Sequence, residues 1–201
     1  MINDISIIII EDQERYQEDA LVWELKDRFK NVFFFTNPKE ALDFITKNVS
    51  LRMIVLLDID FNRKAEGHQI LDDIRKFSFQ IPVILWSGIV EPKEPFSDFI
   101  NNKTFGYINK HATIEEAFKI IDDAVIFLNE SIDKVIEEWI NMHPESDKNK
   151  PVLYSADNKS YSLNDILTEI RMQTEVGKDF SKRLTKLTID LLMRNKESLN
   201  D

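Results

Sequence analysis

The first 125 residues alternate between short continuous apolar runs and longer stretches in which apolar residues recur every three or four positions. The run Ile7–Ile10 and four later runs are typical of strands buried on both faces, as in a parallel sheet. The stretches between them, such as PKEALDFITK at residues 38–47, predict amphipathic helices that cover those faces. We therefore expect an α/β domain over residues 1–125, built on a five-stranded, doubly wound parallel sheet.

After Thr113 the apolar repeat becomes long and regular. Its members alternate in steps of four and three residues, the spacing of coiled-coil helices: Ile114, Phe118, Ile121, Val125, Leu128, Ile132, Val135, Trp139 and Met142. We predict one long helix from Thr113 to about His143, of which residues 126–143 extend beyond the sheet domain. The second half of this helix has to bury its stripe against a second chain or against the C-terminal segment. We favour a homodimer through the 113–143 helix.

The C-terminal quarter of the chain has a different pattern. Residues 144–151, PESDKNKP, are polar and bounded by prolines, which predicts a linker. Residues 152–201 predict a small, mostly helical module with a β-hairpin around Asp157 and Asn158 and a helix start at Ser162 with Asp165. A segment this short is too small for most enzymes, so we expect a module that binds a protein partner.

Composition narrows the classes of partner and the compartment. The formal net charge is −10 and the pI about 4.9, so nucleic acid and membrane are unlikely partners. A local basic cluster of Lys182, Arg183 and Lys186 keeps a DNA-binding transcriptional regulator as an alternative. The chain has no cysteine, and its N-terminal apolar run is too short for a signal peptide or a membrane span. We expect a cytoplasmic protein.

The predicted strands end in polar residues that are chemically complementary. In an open parallel sheet, ligands bind outside the carboxyl ends of the strands, so these residues should meet at one edge. Clustered carboxylates repel one another, and a hard divalent cation such as Mg²⁺ relieves that repulsion. A nearby amine and hydroxyl would complete a site for phosphoryl transfer onto a carboxylate, with Asp58 as the nucleophile. The residues concerned are Glu11, Asp12, Asp58, Asp60, Ser87 and Lys110.

The segments IIIIED, VLLDID, EG, IPVILWS and GYINK together resemble the receiver domain of two-component response regulators. The resemblance covers about 125 residues and implies a five-stranded parallel α/β domain, CheY-like in fold, that is phosphorylated on an aspartate, here Asp58. It implies that Glu11 and Asp12 are the acidic pair that brings in Mg²⁺. Asp58 and the main-chain carbonyl of Asp60 would be the further metal ligands.

The same resemblance assigns roles around the phosphoryl group. Ser87 and Lys110 would contact it, and Ser87 with Tyr107 would form the switch that reports it. The implied protein is a signalling response regulator, whose only chemistry is Mg²⁺-dependent self-phosphorylation and autodephosphorylation. Its phosphoryl donor would be a histidine kinase or a phosphotransfer protein, and phosphorylation would switch the C-terminal module.

The sequence departs from the receiver pattern at three points. His111 follows Lys110 where receivers usually have a proline, and the segment DIDFNRKAEG, which includes Asn62, lacks the proline common after the phosphoacceptor. Glu11 stands where aspartate is commoner. These departures bear on the rate of phosphorylation and leave the reacting positions in place.

Two other functions remain open from the sequence. One is a receiver fold kept as a scaffold that is not phosphorylated. The other is a phosphatase of the haloacid dehalogenase type, which also has a strand ending in DxD, here Asp58 and Asp60. That hypothesis would use Ser87, Lys110 and the pair Asp122 and Asp123 as its later motifs, yet it leaves Glu11 and Asp12 without a role.

Overall fold

The computed structural model describes residues 2–49, 51–59, 67–88, 104–154 and 159–197. The chain divides into two compact units, Met1–Asn129 and Glu130–Asp201, so the first unit ends at residue 129 rather than at the predicted residue 125. Three predicted features lie outside the described residues. They are the metal ligand Asp60, the hairpin turn at Asp157 and Asn158, and EPFSDFINN at residues 94–102, one of the stretches between strands for which the sequence pattern predicts a helix.

The first unit contains the predicted five-stranded parallel sheet. The strands lie side by side in the order β2-β1-β3-β4-β5, so the longest of them, β1, has a neighbour on each side. The prediction of a doubly wound parallel sheet is confirmed. The strands are β1 Ile2–Ile10, β2 Phe29–Phe35, β3 Arg52–Leu57, β4 Val83–Ser87 and β5 Gly106–Asn109.

Helices cover both faces of this sheet. Two of them begin at residues whose side chains satisfy free backbone N–H groups: Asp19 accepts from Leu21, and Asn37 accepts from Lys39. The helices are a 3₁₀ helix Glu14–Glu18, then α1 Ala20–Arg28, α2 Pro38–Lys47, α3 Gly67–Arg75 and α4 Ile114–Glu130. Within the described ranges, no helix combines the length and apolarity that a membrane span requires.

Alternate residues of the strands belong to two separate apolar cores, because successive side chains of a strand point to opposite faces of the sheet. Ile7 and Ile9 of β1 pack with α1 and α4 on one face. Ile8 and Ile10 pack with α2 and α3 on the other. Burial on both faces explains why these strands are continuously apolar in the sequence.

The second unit is built from helices and one small antiparallel sheet. Its core joins Ile136 and Ile140 to apolar residues of two later helices, among them Ile166 and Ile170. Ser162 and Asp165 form the predicted capping box, and the two strands confirm the hairpin. The elements are α5 Ile132–Asn141, α6 Glu145–Lys148, β6 Pro151–Tyr154, β7 Ser160–Ser162, α7 Leu163–Arg171 and α8 Glu175–Glu197.

A buried ionic network lies beside this core. The carboxylate of Glu137, which is fully buried, accepts from Lys134 at 2.8 Å and from two guanidinium nitrogens of Arg171 at 2.6 and 2.9 Å. Both charged partners lie in the same unit, so the network ties α5 to α7. The network stabilises the fold only when Glu137 and both of its cationic partners are present, because removing one of them leaves an uncompensated buried charge.

The expectation of one continuous helix from Thr113 to His143 is wrong. Ser131 adopts an extended conformation (φ −72°, ψ 112°) that ends α4 at Glu130 and starts α5 at Ile132. The burial also differs from the predicted stripe, because α5 buries Ile136 and Ile140 against the C-terminal segment while Val135 and Trp139 stay exposed. Packing against α7 and α8 therefore selects a neighbouring face of the helix.

Part of the predicted linker is also structured. Residues 145–148 form the short helix α6, in which Lys148 is buried and pairs with Glu145 at 2.8 Å. Asn149 accepts a hydrogen bond from Asn164 of α7. Polar pairing within the segment thus holds it onto the second unit instead of leaving it as a spacer.

Candidate functional site

Three carboxylates meet at the carboxyl edge of the sheet, where β1 and β3 end side by side. Ile10 is paired with Leu57, so the residues that follow them, Glu11 and Asp58, are neighbours. The Asp58 N–H donates to the carbonyl of Ile10 at 2.9 Å and fixes this register. One carboxylate oxygen from each of Glu11, Asp12 and Asp58 lies within 4.8 Å of the others. Glu11 and Asp58 are buried, and Asp12 is half-buried.

Lys110, which follows β5, brings a positive charge to this cluster. Its ammonium group donates to Glu11 Oε2 and lies 3.3 Å from Asp58 Oδ2. The side chain is 4% exposed, so little solvent screens the two ion pairs. The Lys110 backbone N–H donates to the carbonyl of Ser87 at 3.0 Å, which extends the pairing of β4 and β5 to the site.

Glu11 has a strongly perturbed acidity. Burial raises its pKa from the ordinary value of 4.5 to about 7, and the nearby Asp58 charge adds to the rise. Hydrogen bonds from Lys110 and from the Gln13 backbone N–H favour the ionised form but do not offset desolvation. The raised pKa of Glu11 indicates that Lys110 alone does not neutralise the negative charge of the three carboxylates.

Two aromatic residues that sequence reasoning left out of the site enclose Lys110. Its ammonium nitrogen lies 4.1 Å from the ring centroid of Tyr16 and 5.3 Å from that of Trp86. The two rings meet edge to face, with centroids 5.4 Å apart. A cation over aromatic faces is stabilised electrostatically. For Trp86, its position next to Ser87 at a strand end was a sequence signal that it lies near the site. For Tyr16, in the 3₁₀ helix, the sequence gave no such signal.

Ser87 and Tyr107, the predicted switch residues, lie on adjacent strands. Ser87 is the last residue of β4 and is fully buried. The Tyr107 hydroxyl is half-buried and donates to the carbonyl oxygen of Ser87 at 3.2 Å. Burial raises the pKa of Tyr107 above its ordinary value. The two residues are therefore directly linked.

Gly67 positions the helix that begins beside the cluster. A Cβ at this residue would lie 2.4 Å from the carbonyl oxygen of Asp58 and 2.6 Å from the Ile59 Cα, closer than real atoms approach. The Gly67 N–H donates to the Ile59 carbonyl at 3.2 Å. Only glycine allows α3 to start this close to the backbone that carries Asp58.

The donor set fits a hard divalent cation. Carboxylate oxygens are the ligands that Mg²⁺ prefers, and a cation would supply the positive charge that Glu11, Asp12 and Asp58 lack. Of the residues that the phosphatase hypothesis needs, Asp58, Ser87 and Lys110 lie at this edge of the sheet, whereas Asp122 makes a different contact. Asp122 lies on α4 and pairs with Arg28, with both side chains about 40% exposed.

Among known proteins, similarity to this chain was found in solved structures. No family model matches the chain, and no curated protein matches its sequence. Among solved structures, a CheY-like response regulator receiver domain protein from Methanospirillum hungatei JF-1 is 20% identical, with a TM-score of 0.53. The match covers 65% of this chain and 99% of that one.

Two further solved structures have comparable similarity. The N-terminal domain of a response regulator/sensory box/GGDEF 3-domain protein from Carboxydothermus hydrogenoformans is 22% identical, with a TM-score of 0.52, over 62% of this chain and 96% of its own. An adenylate cyclase from Rhodopirellula baltica is 17% identical, with a TM-score of 0.55, over 71% and 100%. At these identities the similarity concerns the fold. The N-terminal unit of this chain thus has the fold of the CheY-like response regulator receiver domains.

Proposed function

We propose that this chain is a two-component response regulator whose receiver domain is phosphorylated on Asp58. The observation that carries the proposal is the contact of one buried ammonium, Lys110, with both Glu11 and Asp58 in a cluster of three carboxylates. A strongly perturbed titratable group at the carboxyl edge of a parallel sheet is typical of a functional site. Three carboxylates with one amine would suit Mg²⁺ and a phosphoryl group together.

The chain's own residues perform positioning and charge neutralisation. In the transfer, the N–P bond of a phosphohistidine donor breaks, an O–P bond forms at the Asp58 carboxylate, and the imidazole leaves with the bonding electron pair. Lys110, 3.3 Å from an Asp58 oxygen, is placed to pair with the phosphoryl oxygens. Glu11 and Asp12, with Asp58 and the main-chain carbonyl of Asp60, would hold Mg²⁺, which supplies further positive charge to the phosphoryl group.

The response would then pass through Ser87 and Tyr107. The Ser87 hydroxyl belongs to the residue whose carbonyl already binds the Tyr107 hydroxyl, so a shift of Ser87 toward the phosphoryl group would break or move that bond. A phosphoryl group adds about two negative charges and can supply the few kcal/mol that separate two packings. We infer that the donor is a histidine kinase or a phosphotransfer protein.

The C-terminal unit would be the output module, and we propose that it binds protein. Its apolar residues Val135 and Trp139 remain about half exposed or more. The alternative of DNA binding has less support, because two carboxylates of the same helix, Asp179 and Asp190, flank the basic cluster. The segment from Glu130 to Asp201 also holds more acidic than basic residues.

The test is the intact mass of the full chain after incubation with Mg²⁺ and acetyl phosphate. We expect one phosphoryl adduct that is lost in Asp58→Asn and in a sample treated with a chelator. Asp43→Asn removes an exposed carboxylate from α2 and should be labelled like the wild type. Absence of an adduct, under conditions that label a known receiver, would favour the scaffold. Sustained turnover of a small phosphomonoester would favour the phosphatase.

A further inference from the structure

An apolar groove lies in the C-terminal unit between α5 and α8. It has a volume of about 890 Å³. Its two helical walls are Val135, Ile136 and Trp139 of α5 and Phe180, Leu184 and Thr188 of α8, and residues of the segment 143–152 with Leu163 complete the lining. Val135 is 61% exposed and Trp139 is 49% exposed. Apolar surface of this extent is usually covered by a partner.

The second half of α8 also exposes large apolar side chains, as the groove does. The helix has 23 residues, and its first half packs Val176, Phe180 and Leu184 onto the core of the unit. Beyond Leu184, four large apolar residues are each more than half exposed: Leu187, Ile189, Leu191 and Met193. A helix segment that is apolar on this scale normally has a packing partner.

Apolar residues from both halves of α8 lie on one face of the helix, which we call the seam. Phe180, Leu184, Leu187 and Leu191 step by four, three and four residues, which is the repeat of a helix pair. The first two members line the groove, and the last two extend past it. Two antiparallel copies of α8, related by a twofold axis between residues 185 and 186, place Leu184 opposite Leu187 and Phe180 opposite Leu191. The exposed half of each helix then covers the groove of the other copy.

Charge complementarity favours this antiparallel register. It brings Arg183 of one copy opposite Asp190 of the other at the flank of the seam, and the symmetry repeats the pair. Both side chains are exposed, and Asp179, with which Arg183 pairs, is exposed as well, so Arg183 is accessible to a partner. Parallel pairing would set Arg183 beside Thr188 and would leave the groove uncovered. The antiparallel arrangement thus covers Leu187 and Leu191 and pairs Arg183 with Asp190, while Ile189 and Met193 lie off the seam.

We propose that the occupant of the groove is a second copy of this chain, and that α8 forms an antiparallel homodimer. The interface lies in the C-terminal unit and does not depend on phosphorylation of Asp58. It differs from the dimer through the 113–143 helix that the sequence favoured, because α8 supplies the seam and α5 only lines the groove.

Sedimentation of the full chain over a wide concentration range tests the proposal. We expect a monomer–dimer equilibrium, abolished by Leu191→Glu. Ile189→Glu is the matched control, because residue 189 lies on the same helix with similar exposure (55% against 51%) but off the seam, and it should still dimerise. A monomer at all concentrations, or a dimer that persists in Leu191→Glu, would overturn the proposal.

Two further measurements test the register. Arg183→Asp should weaken dimerisation, and the double variant Arg183→Asp, Asp190→Arg should restore it. Because the chain has no cysteine, Glu175→Cys allows a single spin label on an exposed position of α8. Antiparallel pairing separates the two labels by about 30 Å along the helix axis, whereas parallel pairing brings them to about 10 Å. The short distance would refute the antiparallel arrangement.

Discussion

Replacing Glu11 with glutamine should stabilise the metal-free protein at neutral and alkaline pH. In the folded chain the Glu11 carboxyl has a pKa of about 7, against 4.5 when it is in water. Its proton is therefore bound more tightly in the folded state, and folding weakens whenever the pH is high enough to remove it. The contribution of Glu11 to stability is greatest below pH 4.5, falls between pH 4.5 and 7, and is constant above.

The size of the effect follows from the pKa difference. Each unit corresponds to 1.36 kcal/mol, so ionised Glu11 destabilises the folded state by about 3 kcal/mol above pH 7. Glutamine has nearly the same volume, and its one oxygen can accept from the Gln13 N–H, while Asp58 remains to pair with Lys110. Glu11→Gln should therefore raise the free energy of unfolding by about 2 to 3 kcal/mol at pH 8 and change it little near pH 4.5.

Urea unfolding with a chelator present measures this difference. Trp86 is buried in the first unit, whereas Trp23 and Trp139 are already about half exposed, so tryptophan fluorescence reports mainly on the unit of interest. Glu24→Gln changes an exposed glutamate of α1 and serves as the control. A stability difference between Glu11→Gln and the wild type that is the same at both pH values would refute the reasoning.

Three other predictions concern the same two units. Mg²⁺ affinity measured by calorimetry should fall about tenfold from pH 6 to pH 5, because the metal displaces one proton from a carboxyl with a pKa of about 7. Tyr16→Leu should lower the free energy of unfolding by about 1 to 2 kcal/mol by removing the ring over the ammonium of Lys110, and Tyr16→Phe should have a smaller effect. Glu137→Gln should destabilise the C-terminal unit by about 3 kcal/mol in thermal unfolding, because two cations lose their carboxylate, while the exposed neighbour change Glu138→Gln should have little effect.

The sheet and the acidic cluster could be predicted because both follow from local pattern and a general rule. Continuous apolar runs identify buried parallel strands, and the carboxyl ends of such strands share an edge, which brings Glu11, Asp58 and Lys110 together. The enclosure of Lys110 by Tyr16 could not be predicted in the same way. It depends on how the 3₁₀ helix folds back toward β5, and no periodicity encodes that contact.

The end of α4 at Glu130 shows the limit of periodicity as evidence. The apolar repeat continues through Ser131 without interruption, yet the chain leaves the helical conformation there. Which face of α5 is buried is decided by its partners α7 and α8, and these select Ile136 and Ile140. A repeat defines a surface that can pack, and the tertiary partner determines how much of it is used.

The position of β1 between β2 and β3 has a consequence for synthesis of the protein. This nine-residue strand pairs with β2 on one side and with β3 on the other, and Ile5 is aligned with Arg52, far along the chain. During translation, one edge of an isoleucine-rich strand stays open until β3 leaves the ribosome. Open apolar edges invite pairing with other chains. The nascent chain therefore carries an open isoleucine-rich edge, which chaperones would protect, until residue 57 is exposed.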